Sequence, residues 1–131
     1  MHRCLRDDGL TLLHCIGGNT SVNHIDPWIE KYIFPKSMIP TAAQFAAASE
    51  RRFVIEDWHG FGPYYDHALM ARRSNFDAAR PELAESYEDH FRRKWRLYLC
   101  ASAASFRARR NQFRQLVLSP KGVPGGYDAL R

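Results

Sequence analysis

The side chain whose type and place most suggest chemistry is His14, near the carboxyl end of the apolar run Gly9 to Ile16, GLTLLHCI. Bounded by Asp7-Asp8 and Gly17-Gly18, such a run reads as a buried strand of a mostly parallel sheet. Ligands of open α/β sheets sit beyond the carboxyl ends of strands, which makes His14 a candidate for ligand contact. The competing reading is a histidine hydrogen-bonded inside the core. A second polar and aromatic collection, Glu56-Asp57-Trp58-His59, follows the short run Phe53-Val54-Ile55 in the same way.

Other chemistries find little support. Cys4, Cys15 and Cys100 are odd in number and lack C-x-x-C spacing, which argues for free thiols and against a disulfide framework or zinc knuckle. The six histidines are scattered without the i, i+4 pairing of a helical metal site, so no metal is expected. Gly17-Gly18 lacks the Lys-Ser/Thr and fixed spacing of a phosphate loop.

The elements that must position these groups can be read from punctuation and periodicity. Gly17 to Asp26 is a polar loop, and Pro27 to Phe34 reads as a short helical turn stopped by Pro35. Thr41 and Gln44 form a capping-box pattern in front of a helix from about Ala42 to Ser49. Pro63 suits the first turn of a helix carrying Tyr65, Leu69, Arg72 and Phe76 on one face and closed by Pro81. A second helix, from about Glu88 to Arg109, gathers Phe91, Trp95, Tyr98, Leu99, Ser102 and Phe106, with Arg92, Arg93, Arg96, Arg107 and Arg110 around them. Phe113 to Leu118 reads as a last strand, residues 1–8 as disordered, and 121–131 as a Gly/Pro-rich tail. The order is α/β, with too few strands for a complete doubly wound sheet.

At 131 residues and 45% hydrophobic, the chain is the size of one domain with apolar side chains enough for a core. The formal charge of +5 suits an anionic partner: nucleic acid, phospholipid head groups or a phosphorylated metabolite. No recognisable nucleic-acid module accompanies the arginines, so nucleic acid is not expected. Neither a secretory signal nor a spanning apolar run is evident, and the expected location is the cytosol, with contact to membranes from outside.

The segments HCIGG, DPWIEKYIFP, MIPT, FVIEDWHGFGPYYDHALMA and FRARRNQFRQLVLS resemble the cyclopropane-fatty-acyl-phospholipid synthases and, more distantly, the mycolic acid cyclopropane synthases. The resemblance runs over nearly the whole chain. It implies the carboxyl-terminal part of a Rossmann-like, S-adenosylmethionine-dependent methyltransferase fold, an incomplete mostly parallel sheet with flanking helices. The implied reaction is methylene transfer to acyl-chain double bonds at a phospholipid membrane surface. In it the double bond attacks the sulfonium methyl, and a bound bicarbonate takes the proton lost on ring closure. The family's bicarbonate site maps to His14, the Ile16 backbone and Tyr65, donors suited to a planar anion. Tyr65 also begins an apolar helical stripe, which is its packing reading.

The chain departs from that pattern in several places. The family's glycine-rich cofactor loop, the acid after it, and an upstream glutamate and cysteine of the bicarbonate site have no counterpart, so the S-adenosylmethionine site is expected to be missing and the chain alone inactive. The active-site cysteine position falls at Ser102; Cys100, two residues earlier, is rotated by about 200° around a helix and cannot replace it. Arg72, Lys94 and Arg114 stand where relatives usually carry Trp, Met and Trp, and burying an unpaired cation costs several kcal/mol. Two roles follow as expectations: a synthase segment working beside a separate amino-terminal half, or a non-catalytic remnant that binds membrane lipids or a partner chain. An incomplete sheet also invites self-association into a homo-oligomer.

Overall fold

The computed structural model describes residues 1–129. Its centre is a three-stranded sheet of order β1-β3-β2, with β1 at Thr11–Gly18, β2 at Val54–Gly60 and β3 at Asn111–Ser119. β3 runs antiparallel to both neighbours. The mostly parallel sheet expected from the sequence is therefore not what these strands form. β1 and β2 do share a direction, but β3 lies between them and reverses the pairing.

The helices explain the reversal. After α1 (Pro27–Tyr32) and α2 (Ala42–Ser49), the chain leaves β2 into α3 (Gly62–Ala78), α4 (Arg80–Ser86) and α5 (Asp89–Arg107). α3 and α5 form an antiparallel pair: Asp77 meets Arg96 at one end and Asp66 meets Arg107 at the other. That hairpin returns the chain to the end of β2 from which it left, where the Phe61 N–H donates to the Phe113 carbonyl. β3 can then only run back along β2. Gly62 eases the close approach here, since a Cβ would stand a tight 3.3 Å from the Phe113 nitrogen and 3.1 Å from Gln112 Oε1.

Local signals set most boundaries. Thr41 Oγ1 accepts from the Gln44 N–H while the Gln44 side chain accepts from the Thr41 N–H, so the capping box forms as read. Asp26 caps α1 by accepting from the Trp28 and Ile29 N–H groups. Pro81 does not close α3 as expected. The helix ends at Ala78, and Pro81 sits in the first turn of α4, where a missing N–H costs nothing. Ahead of β1, His2–Cys4 form a 3-10 turn, with the His2 ring packed on Phe53 and Asp7 paired with Lys121.

The core lies between one sheet face and the α3–α5 pair. Leu69, Leu99, Ala103 and Phe106 are buried there, with Ile16, Tyr65, Trp95, Tyr98 and Phe113 packed against them. Leu116 and Leu118 are buried on the other face, which also carries Arg114. The arginines of α5 mostly serve surface pairs: Arg92 and Arg93 with Asp89, Arg96 with Asp77, and Arg107 bidentate with Asp66. Residues 130 and 131 of the expected tail lie outside the described residues.

Candidate functional site

The groups converge on an apolar cavity of about 330 Å³ between the end of β1, the segment running through α1 to Pro40, and the α3–α5 pair. Its walls are mainly Ile16, Ile29, Phe34, Met38, Ile39, Leu69 and Phe106; its polar groups include Tyr65, Tyr98 and Ser102. A larger groove of about 1090 Å³ adjoins it, sharing Ile25, Ile29, Ile39, Ser102 and Asn111 and floored by Ala101, Ala104, Ser105 and Ala108 of α5. Mostly apolar walls with a few placed polar groups suit a hydrocarbon ligand oriented by hydrogen bonds.

Ile16 contributes a backbone group whose direction follows from strand geometry. The Gly18 N–H turns away from β3 and donates to the Pro40 carbonyl at 2.9 Å. The β1–β3 register is unbroken, and backbone groups alternate sides with a period of two, so the Ile16 N–H also points away from β3. At Tyr65, the ring stacks on Phe113 with centroids 4.0 Å apart and meets Phe106 edge-on at 4.9 Å. Arg72 Nη1 donates to the Tyr65 oxygen at 3.1 Å, and its guanidinium carbon lies 5.6 Å from the ring centre. Since that oxygen accepts from Arg72, the phenol proton stays available for a ligand.

The Tyr98 phenol is pushed above its ordinary range by burial, an effect opposed by a hydrogen bond from Ser102. Ser102 thus lies in the cavity wall beside the Tyr98 phenol. His14 stands apart from this lining: it is exposed, with its ring 4.3 Å from Phe113 and 5.7 Å from Phe61. Ile16, Tyr65 and Ser102 share one cavity, and His14 joins them only through Phe113, which pairs across strands with Ile16.

Phe113, Tyr98 and Arg72 are the site groups that sequence reasoning placed without a role. Phe113 alternates with Arg114 along β3 and so had to face opposite to it, a signal that identifies the face but not the neighbours. The Glu56–His59 collection does not reach the cavity. Glu56 accepts from Ser119 and the Val123 N–H, fastening the tail, while Trp58 packs on Phe45 and His59 on Phe61.

The three unusual cations occupy different settings. Arg72 is exposed and bonded to Tyr65, and Lys94 Nζ lies 3.9 Å over the Tyr32 ring. Arg114 is buried at 8% exposure; its Nη2 donates to the Gly18 carbonyl at 3.2 Å, its guanidinium lies 5.6 Å from the Trp58 ring centre, and its Nη1 has no hydrogen-bond partner. Burial pushes the neighbouring Cys15 thiol up, and Arg114 partly opposes the shift. Among the described residues no cluster of three His, Cys, Asp or Glu could hold a metal, and no helix is long and apolar enough to cross a membrane.

Comparison with solved structures defines the class. The fold matches the cyclopropane synthase MmaA2 of Mycobacterium tuberculosis with a TM-score of 0.81 at 22% identity, over 89% of this chain and 46% of that one. The mycolic acid cyclopropane synthase CmaA1, solved with SAH and CTAB, matches at 0.76 and 21% identity, over 89% of this chain and 46% of that one. The fold is thus the one these cyclopropane synthases have over the matched part.

In sequence, residues 1–116 match the mycolic acid cyclopropane synthetase family, and the chain belongs to it. It is 46% identical over 129 residues to the cyclopropane-fatty-acyl-phospholipid synthase of Escherichia coli K12, covering 98% of this chain. The chain spans about a third of that protein's length (34%). The α/β class and the family resemblance read from the sequence are both borne out.

Proposed function

We propose that this chain is the carboxyl-terminal, lipid-facing part of a cyclopropane-fatty-acyl-phospholipid synthase, acting in methylene transfer to double bonds of phospholipid acyl chains at a membrane surface. The observation that carries this reading is the apolar cavity bearing Tyr65, Tyr98 and Ser102, in a chain 46% identical to such a synthase. Residues of this chain are assigned to the acyl chain and to an anion, and none to S-adenosylmethionine, which the rest of the fold would hold.

The donors present fit bicarbonate. Ile16 offers a backbone N–H directed off the sheet, and Tyr65 a phenol proton left free by Arg72. Both border the cavity, and His14 stands beside the same Phe113 ring. Bicarbonate, when bound, supplies a base for the proton lost on ring closure. The apolar walls exclude water from the acyl chain and set its depth, while Phe34 and Tyr98 line the same cavity with aromatic rings, a kind of side chain whose face attracts cationic character.

The test combines this chain with the part of the Escherichia coli enzyme it does not match, together with S-adenosylmethionine, bicarbonate and vesicles of unsaturated phospholipid. The expected outcome is a mass gain of one CH₂ per modified acyl chain, reduced by Tyr65→Phe and absent without either polypeptide. A folded two-chain complex that leaves the lipids unchanged would overturn the proposal.

A second reading, a non-catalytic remnant that binds membrane lipids or a partner chain, is favoured by Ser102 in place of the family's cysteine and by the buried Nη1 of Arg114. Vesicle co-sedimentation with unaltered lipid mass, in the same mixture, distinguishes it.

A further inference from the structure

Arg72 follows Tyr65 by seven residues on α3, so the two share a face two turns apart, roughly 10 Å along the helix axis. Leu69, between them on that face, is buried in the core. Helical side chains lean toward the amino end, and the long stem of Arg72 therefore reaches back to the phenol, where Nη1 donates to the Tyr65 oxygen. Its guanidinium stands over the Tyr65 ring. Arg72 takes part in none of the ion pairs among the described residues, so no carboxylate neutralises its charge.

Two effects of opposite sign follow from that placement. A phenol that accepts a hydrogen bond from a cation donates its own proton more strongly, because linked hydrogen bonds polarise one another. Arg72 thus favours an anion at Tyr65. The same charge acts on the cavity, which Tyr65 and Tyr98 line and Arg72 does not. Burial raises the Tyr98 phenol, while Ser102 and, more weakly, Arg72 oppose the rise, so the field of the guanidinium reaches the second phenol of the cavity. A cation held there repels positive character on a hydrocarbon in the cavity, and over the Tyr65 ring it takes up a face that would otherwise attract that character.

We infer that Arg72 is a positioning residue that sets the balance of this site. Acting through the Tyr65 phenol it tightens the hold on the anion, and by its charge it slows the step in which the hydrocarbon becomes cationic. The inference rests on the proposed function, in which Tyr65 serves bicarbonate and the acyl chain fills the cavity, and it adds a residue that touches neither.

The test uses this chain with the unmatched part of the Escherichia coli synthase, varying bicarbonate while sodium chloride holds the ionic strength constant. Arg72→Met keeps the bulk of the stem and removes the donor and the charge. The bicarbonate concentration for half-maximal rate rises by about 10-fold, as the loss of a charge-assisted hydrogen bond implies. The rate at saturating bicarbonate also rises, by about 3-fold, as repulsion is relieved. Arg72→Lys keeps the charge and holds the saturated rate at the parent value. In Tyr65→Phe, adding Arg72→Met leaves the bicarbonate requirement unchanged and still raises the saturated rate. A merely structural role would lower the rate in every variant without this split. Bicarbonate affinity is read a second way, without lipid or S-adenosylmethionine, from the ring ¹³C signals of Tyr65 during titration of the same mixture; there too Arg72→Met weakens binding by about 10-fold. This second readout decides the inference where the lipids stay unchanged, a result that overturns the proposed function alone. An unchanged bicarbonate requirement in Arg72→Met, a fall in its saturated rate, or Tyr65 signals in the parent that do not saturate with bicarbonate overturns the inference.

Discussion

Arg114→Met is expected to stabilise the chain. The guanidinium it removes is buried, takes part in none of the ion pairs formed among the described residues, and leaves Nη1 without a partner. A buried unsatisfied donor costs about 1–3 kcal/mol. Replacing a buried ion by an apolar group of similar volume commonly returns about 1–4 kcal/mol. Against this stand one hydrogen bond to Gly18, worth about 1 kcal/mol, and the approach to Trp58, worth about 0.5–1 kcal/mol. The balance is a gain of about 1 kcal/mol, read as a rise in Tm of roughly 2–8 °C by calorimetry. Gly17 supplies a control within the same site, since a Cβ there would lie 2.3 Å from Nη1 and 2.7 Å from Cζ. Gly17→Ala should therefore destabilise the parent and cost less in Arg114→Met, with a coupling of about 1 kcal/mol between the two changes. A loss of stability in Arg114→Met by 1 kcal/mol or more, or additivity of the pair, would refute the reasoning, because either result means the guanidinium is already satisfied where it lies.

Two further outcomes follow from the structure. Asp66 is held below the usual carboxylate range first by its hydrogen bond from Arg107, against a smaller opposing effect of burial. A lowered folded-state pKa contributes stability above the unfolded value, near 3.9, and loses it as pH falls through the folded value. Unfolding curves of the parent and Asp66→Asn, measured from pH 7 downward, should thus differ at neutral pH and converge in acid; a constant separation would count against the ion pair. Thr41→Ala removes a cap that also bonds Ser21 at 2.7 Å, and it should cost about 0.5–2 kcal/mol in denaturant titration, with no change meaning that the box contributes nothing to α2.

Elements specified by near neighbours in the chain were legible in the sequence. The capping box sets the start of α2 because Thr41 and Gln44 meet within one turn, and the apolar stripe of α5 places Leu99 and Phe106 in the core because their spacing is helical. Pro81 was misread because one residue type serves both the end of one helix and the first turn of the next; only the packing of α3 against α5 decides which. The family resemblance, carried by contiguous segments, was legible for the same reason: it depends on order along the chain.

Direction and convergence were not. Whether β3 runs parallel or antiparallel depends on where the α3–α5 hairpin returns the chain, a consequence of packing between residues such as Asp66 and Arg107 that lie 41 apart. That Arg72, on what reads as a core-facing stripe, reaches solvent while Arg114 does not is likewise a matter of what covers each face. So too is the gathering of Ile16, Tyr65 and Ser102 around one cavity with His14 outside it. Local chemistry thus determined the elements and the family, and long-range packing alone decided strand order and the cavity, because those depend on contacts whose partners no local pattern names.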